Sequence, residues 1–78
     1  MLDIERVRMR RHKLHMTQRE LGKRIGQDQA YISRLEAGKI VEMTVPVLER
    51  LADALGVSAD YLLGRVQAKD EEEALVGA

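Results

Sequence analysis

Signals that start and stop helices recur along this chain at short intervals. Apolar residues follow helical spacing throughout, and no stretch alternates between apolar and polar residues for long enough to predict a strand. The residues suited to helix N-caps are Thr17, Asp28, Thr44 and Ser58, and the glycines suited to end helices are Gly26, Gly38, Gly56 and Gly64. We therefore predict an all-α fold of five short helices.

The second and third predicted helices are separated by a very short turn. The five predicted helices run from about Asp3 to His15, Thr17 to Gly26, Asp28 to Ala37, Thr44 to Gly56 and Ser58 to Gly64. Thr17 and Glu20 have the spacing of a capping box, which fixes the start of the second helix. Gly26 and Gln27 then form a tight turn before Asp28 caps the third helix. This pattern predicts a helix-turn-helix unit over Thr17 to Ala37.

Length and composition limit the domain organisation. The 78 residues fit one domain, which we place at 1–66, and residues 67–78 form an acidic tail that is either a frayed helix or disordered. The chain has no cysteine, and its two histidines do not suffice for a metal site, so we expect no cofactor and no metal. Without a membrane-length apolar run or a signal peptide, the predicted location is cytoplasmic.

The formal charge of zero conceals two oppositely charged halves. Residues 1–39 carry ten Lys or Arg against five Asp or Glu, a balance of +5, whereas residues 40–78 carry three against eight, a balance of −5. A basic N-terminal half suits a surface that binds phosphate groups. An acidic C-terminal half discourages nonspecific contact with DNA.

One face of the third predicted helix carries side chains that match the edges of DNA bases. At helical spacing Ile32 and Leu35 point to one side, and the other side carries Gln29, Ala30, Ser33 and Arg34. Glutamine bonds adenine, arginine bonds guanine, serine bonds either, and a small alanine permits contact with a thymine methyl group. No nucleophile is paired with a base and no glycine-rich phosphate loop is present, so we predict that the chain is not an enzyme.

The chain resembles the Cro and phage-repressor (XRE-type) class of helix-turn-helix regulators. The resemblance rests on T-Q-R-E-L-G-x-x-I-G from Thr17, A-Y-I-S-R-L-E-A-G-K from Ala30 and L-x-x-L-A-D-A-L-G-V-S-x-D-Y-L-L from Leu48. It extends from about Ile4 to Gly64. It implies a compact, lambda-repressor-like domain of five helices whose third helix docks in the major groove of DNA.

The resemblance also implies roles for individual residues. The residues matching base-reading positions are Gln29, Ala30, Ser33 and Arg34, those at phosphate or helix-entrance positions are Gln18, Asp28 and Lys39, and those matching a partly buried salt bridge are Arg11 and Glu36. Gly22 stands where the family usually has alanine, and Gln27 stands where an apolar residue is common. We expect both differences to weaken the turn locally.

These observations predict a homodimeric transcriptional regulator, a repressor that binds a palindromic operator. One short recognition helix reads only about four or five base pairs, and two-fold pairing doubles that information. The apolar residues Leu62, Leu63 and Val66 are the candidate dimer interface. The alternative is a protein-interaction module of the same fold, such as an antitoxin or coactivator, whose main surface binds a protein partner such as a toxin.

Overall fold

Five helices form the part of the chain that the structure describes. The structure is a computed structural model that describes residues 2–40 and 42–66. Its helices are α1 (Ile4–Lys13), α2 (Gln18–Arg24), α3 (Gln29–Glu36), α4 (Val45–Leu55) and α5 (Ala59–Leu62), with no strand in those residues. The predicted all-α fold is confirmed, whereas the predicted acidic tail, residues 67–78, lies outside the described residues. None of the helices has the length and apolar character needed to cross a membrane.

An N-cap side chain begins each of the five helices, at the four predicted positions and also at Asp3, which the sequence placed only at the start of the first helix. Each accepts a hydrogen bond from the backbone N–H three residues further along; these residues are Asp3, Thr17, Asp28, Thr44 and Ser58. In α2 the capping box is complete, because the Glu20 carboxylate accepts a hydrogen bond from the Thr17 backbone N–H at 3.2 Å. The hydrogen bonds with Thr17 hold the pKa of Glu20 below its ordinary value.

The core is a single apolar cluster to which every helix contributes. Its buried members are Val7, Met16, Leu21, Ile25, Ile32, Leu35, Leu51, Ala52, Leu55 and Leu62. α1 lies against α3, α4 and α5, and α2 packs against α3 and α4. Leu62 was expected at a dimer interface, but it is completely buried in this core. That assignment is wrong, because the single turn of α5 directs Leu62 inward.

Gly22 lies where α2 approaches the start of α3 most closely. A Cβ atom at this position would be 2.8 Å from the Asp28 carbonyl oxygen, closer than backbone atoms tolerate. The Gln27 N–H donates to the Gly22 carbonyl at 2.8 Å, which closes the turn between the two helices. Glycine is therefore the residue that this short approach requires, rather than a source of local weakness.

The end of α1 lies two residues before its predicted position, as do the ends of α2 and α5. Helical spacing predicted a helix to His15, but α1 ends at Lys13. His15 has a φ of 57°, in the left-handed region that residues with a Cβ atom adopt rarely. This conformation turns the chain so that the Met16 N–H donates to the Arg11 carbonyl at 3.1 Å and Met16 enters the core.

Replacing His15 with glycine should stabilise the fold. The left-handed conformation costs an L-residue about 1–2 kcal/mol, and the larger entropy loss of glycine offsets about 0.5–1 kcal/mol of that gain. We expect His15→Gly to raise the free energy of unfolding by about 0.5–1 kcal/mol in urea denaturation. Met9→Gly, at an exposed helical position, should lower it by a similar amount. An unchanged or lower midpoint for His15→Gly would contradict this account of the α1 end.

Candidate nucleic-acid interface

One face of α3 is exposed and polar, whereas the opposite face is buried. Its exposed side chains are those predicted to read bases, namely Gln29, Ala30, Ser33 and Arg34. At 100° per residue they span an arc of about 140°. Ile32 and Leu35 are completely buried on the other side. None of the exposed polar side chains on this arc hydrogen-bonds within residues 2–40 and 42–66, so all are available to a ligand.

The Asp28 side chain fixes the start of α3. Its carboxylate accepts a hydrogen bond from the Tyr31 backbone N–H at 2.8 Å. A carboxylate at this place also interacts favourably with the positive end of the helix dipole. Tyr31 is half-buried and packs against the core, so it anchors the first turn. Asp28 therefore acts within α3, and its charge lies directly beside Gln29.

The end of α3 leaves no backbone carbonyl without a donor. The last four carbonyls accept hydrogen bonds as follows: Ser33 from Ala37 N–H, Arg34 from Lys39 N–H, Leu35 from Gly38 N–H and Glu36 from Arg8 Nη2. Gly38 has a φ of 74°, and the pattern is a Schellman motif. The motif holds Lys39, which is exposed, immediately beyond the exposed polar face of α3.

Arg11 and Glu36 form a buried, two-pronged ion pair between α1 and α3. The Arg11 Nε lies 2.6 Å from Glu36 Oε2, and Arg11 Nη2 lies 2.8 Å from Glu36 Oε1. Only 8% of Arg11 and 6% of Glu36 is exposed. The Arg11 Nη1 also donates to the Met16 carbonyl at 2.8 Å. The structure thus contains the salt bridge that the family resemblance implied.

Gln18 joins this ion pair, which the sequence did not reveal. The Gln18 Nε2 donates to Glu36 Oε1 at 3.3 Å, so the first residue of α2 is tied to the last residue of α3. Gln18 is half-buried. One N–H of its amide group therefore has a structural partner, and the second N–H and the amide oxygen remain for other contacts. No sequence signal distinguishes this contact from the predicted phosphate contact.

Hydrogen bonds and charge keep Glu36 ionised despite its burial. Burial alone raises the pKa of Glu36, but hydrogen bonds from Arg11 and Gln18 and the positive charges of Arg11 and Arg8 outweigh it. The net effect holds the pKa of Glu36 below its ordinary value. The hydrogen bond to Glu36 likewise raises the pKa of Arg11. The pair is therefore charged at neutral pH.

The ten Lys and Arg side chains of residues 1–39 fall into two groups. Four arginines of α1 donate to backbone carbonyls outside the helix: Arg6 to Tyr61 at 2.8 Å, Arg8 to Glu36 at 2.9 Å, Arg10 to Leu55 at 2.6 Å and Arg11 to Met16 at 2.8 Å. The others are Lys13, Arg19, Lys23, Arg24, Arg34 and Lys39, all of them exposed. The surface charge available to an anionic ligand is concentrated on α2 and α3.

Comparison with known proteins supports the helix-turn-helix fold described above. A helix-turn-helix family model matches residues 7–62. The P22 c2 repressor protein, solved in complex with synthetic operator 9T in the presence of Tl+, is 39% identical, with a TM-score of 0.76. The match covers 85% of this chain and 98% of that one. The complex of SinR and SinI proteins contains a similar fold at 24% identity and a TM-score of 0.72. That match covers 97% of this chain and 75% of the other chain.

Replacing Glu36 with glutamine tests the buried ion pair. At about pH 7, Glu36→Gln should lower the free energy of unfolding by about 3 kcal/mol, because Arg11 keeps a buried charge without its counter-ion. The depressed pKa of Glu36 means that its contribution is present at neutral pH and is lost as the pH falls through its folded-state pKa. The difference between parent and variant should therefore shrink as the pH falls below the ordinary pKa of a glutamate.

The exposed pair of Arg8 and Glu5 provides a matched control. Its Nη1 to Oε1 distance is also 2.8 Å, but the Glu5 side chain is 66% exposed. Glu5→Gln should change stability by less than about 1 kcal/mol, because water screens such pairs. Equal losses for Glu5→Gln and Glu36→Gln in chemical denaturation would show that burial of the Arg11–Glu36 pair has no energetic consequence.

Proposed function

Since this chain belongs to the helix-turn-helix family of Cro and phage-repressor regulators, we propose that it is a sequence-specific transcriptional regulator that binds double-stranded DNA. The observation that carries the proposal is the exposed arc of α3, whose polar side chains have no internal partners. An α-helix fits the major groove of B-form DNA, and base edges there offer a distinct set of donors and acceptors. The capped ends of α3 hold these side chains on a rigid element.

Each side chain of the arc has a suitable role in base recognition. Arg34 presents a planar guanidinium that suits the O6 and N7 atoms of guanine, and Gln29 suits the N6 and N7 atoms of adenine. Ser33 lies between them on the arc and offers a hydroxyl group that donates or accepts. Ala30 leaves room for a thymine methyl group. We propose these four residues as the base-reading set.

Phosphate contacts hold the recognition helix in register. Lys39 is exposed just beyond α3 and has no ion pair within residues 2–40 and 42–66. Gln18 donates one amide N–H to Glu36 and retains the second N–H and the amide oxygen. We propose that Lys39 binds phosphate directly, and that Gln18 orients α2 against α3 with one N–H and reaches a phosphate with the other. Asp28 acts at the helix entrance through its cap.

We also propose that the protein acts as a homodimer on a palindromic operator, as a repressor. A partly open apolar cavity of about 440 Å³ lies beside the C-terminal end of α3. It is lined by Leu2, Ile4, Leu35, Gly38, Ile40, Met43, Leu48 and Leu63. A second copy that covers this cavity would bury its apolar rim and place two recognition helices on one face of the duplex. Leu63 and Val66 remain in the proposed interface, without Leu62.

Variants at Arg34 and Lys39 separate base reading from phosphate binding. On an operator selected from random duplexes, Arg34→Ala should cost about 1–3 kcal/mol of binding free energy, with little change on scrambled DNA. Arg34→Lys should lose most of the same discrimination, because lysine keeps the charge but not the two-pronged geometry. Lys39→Ala should weaken binding to both duplexes equally. Fluorescence anisotropy at one salt concentration measures all four proteins.

The binding of Arg34→Ala tests the role of Arg34, and the binding of the parent protein decides between the proposed function and a protein-interaction module. Equal loss on operator and scrambled DNA after Arg34→Ala would make Arg34 a phosphate ligand and leave discrimination to Gln29 and Ser33. Failure of the parent protein to select any duplex sequence would contradict the proposed function. Circular dichroism spectra should match between parent and variants, because Arg34 is exposed and outside the core.

A charged side chain in the apolar cavity should separate the proposed dimer. We expect Leu63→Glu to yield monomers in analytical ultracentrifugation, because the interface would bury an unpaired carboxylate. Met9→Glu, at a residue that is 66% exposed and does not line the cavity, should leave the oligomeric state unchanged. The selected operator should have half-sites about 34 Å apart. A monomeric parent bound to a single unrepeated site would contradict this part of the proposal.

A further inference from the structure

The guanidinium group of Arg6 lies where α1 packs against α5. Its Nη1 atom donates to two backbone carbonyls, that of Tyr61 at 2.8 Å and that of Val66 at 2.6 Å. The same group lies over the Tyr61 ring, 4.6 Å from the ring centroid, and its Nε is 3.4 Å from an Asp3 carboxylate oxygen. Only 19% of the Arg6 side chain is exposed. One side chain of α1 thus contacts both α5 and the segment that follows it.

The segment 63–66 depends on Arg6 more than α5 itself does. α5 has a second attachment to α1, because the Asp3 N–H donates to the Leu62 carbonyl at 2.7 Å, and Leu62 is completely buried in the core. The hydrogen bond from Arg6 is the contact that fastens Val66 to α1. We therefore expect loss of the Arg6 guanidinium to release residues 63–66 while α5 stays in place.

The segment that Arg6 holds carries part of the proposed dimer interface. Leu63 lines the apolar cavity, Val66 lies three residues further along, and both are half-buried in the single copy. Leu2 and Ile4, close to Arg6 in sequence, line the same cavity. One side of the cavity rim therefore consists of the start of the chain and the segment after α5, and Arg6 joins these two parts.

We infer that Arg6 is a positioning residue for dimerisation, which holds Leu63 and Val66 against α1 in the arrangement that a second copy binds. The inference rests on the proposed dimer and names the residue that prepares its interface. A loose segment must be ordered when the second copy binds, and this costs conformational entropy that a segment held in place does not lose. Arginine suits this position, because its planar group supplies several donors and also stacks on an aromatic ring.

Substitutions at Arg6 test this inference through the dissociation constant of the dimer. In sedimentation equilibrium, Arg6→Ala should raise this constant about tenfold or more, because the second copy must then order residues 63–66. Arg6→Lys keeps the positive charge but not the planar group, so it should raise the constant in the same direction by a smaller factor. Thermal melting of the dilute, monomeric proteins measures how far each substitution weakens the fold itself.

Arg10→Ala is the matched control for the loss of a carbonyl contact from α1. The Arg10 Nε donates to the Leu55 carbonyl at 2.6 Å, at the end of α4. Neither of these residues lines the apolar cavity. This variant should melt at a lower temperature than the parent, because it loses a contact of the same kind. Its dimer should nevertheless dissociate with the constant of the parent.

Duplexes with one and with two half-sites separate the inference from the proposed function. Because the exposed face of α3 is unchanged, Arg6→Ala should bind a single half-site as the parent does and lose affinity only for the full operator. If Arg6→Ala dimerises as the parent does, or if Arg10→Ala weakens the dimer equally, Arg6 only stabilises the fold. The inference is then overturned and the proposed function stands.

Failures of the proposed function give different results. A parent that selects a duplex sequence but remains monomeric contradicts the proposed dimer, and the inference falls with it. A parent that selects no duplex sequence contradicts the proposed regulator, and the sedimentation results then decide the inference on their own.

Discussion

The ion pair between Arg11 and Glu36 connects α1, α2 and α3. Arg11 comes from α1, Glu36 ends α3, and Gln18 at the start of α2 donates to the same carboxylate. Because an unpaired buried charge is costly, each partner restricts where the others lie. The orientation of the exposed α3 face therefore depends on a contact made on its buried side. This links the stability of the fold directly to the geometry of the candidate site.

The arginines of α1 explain how a domain this small holds its short helices together. Helices of four to eleven residues leave many terminal carbonyls without intrahelical donors. Arg8, Arg10 and Arg6 donate to carbonyls at the ends of α3, α4 and α5. Net charge counted along the sequence therefore overstates the charge that faces a ligand. No such acceptor engages Arg19, Lys23, Arg34 or Lys39 within residues 2–40 and 42–66, and these cations lie on α2, on α3 or just beyond it.

Sequence reasoning was most successful where one local interaction decides the structure. The four predicted N-caps, the capping box and the exposed face of α3 follow from side-chain chemistry within a few residues of the chain. The Gln18 contact, the close approach at Gly22 and the burial of Leu62 each depend on residues brought together by folding. His15 shows the same limit, because helical spacing continues through it while the core requires the chain to turn.

The buried and exposed sides of α2 have different roles. Its buried side contributes Leu21 and Gly22, which set the distance to α3, and its exposed side carries Arg19 and Lys23. Gly22 lets α2 lie so close to Asp28 that these cations border the first residue of α3. A bulkier residue at Gly22 would separate the helices and move the cations away from Gln29. The tight turn is thus a condition for any electrostatic contact that extends the recognition surface beyond α3.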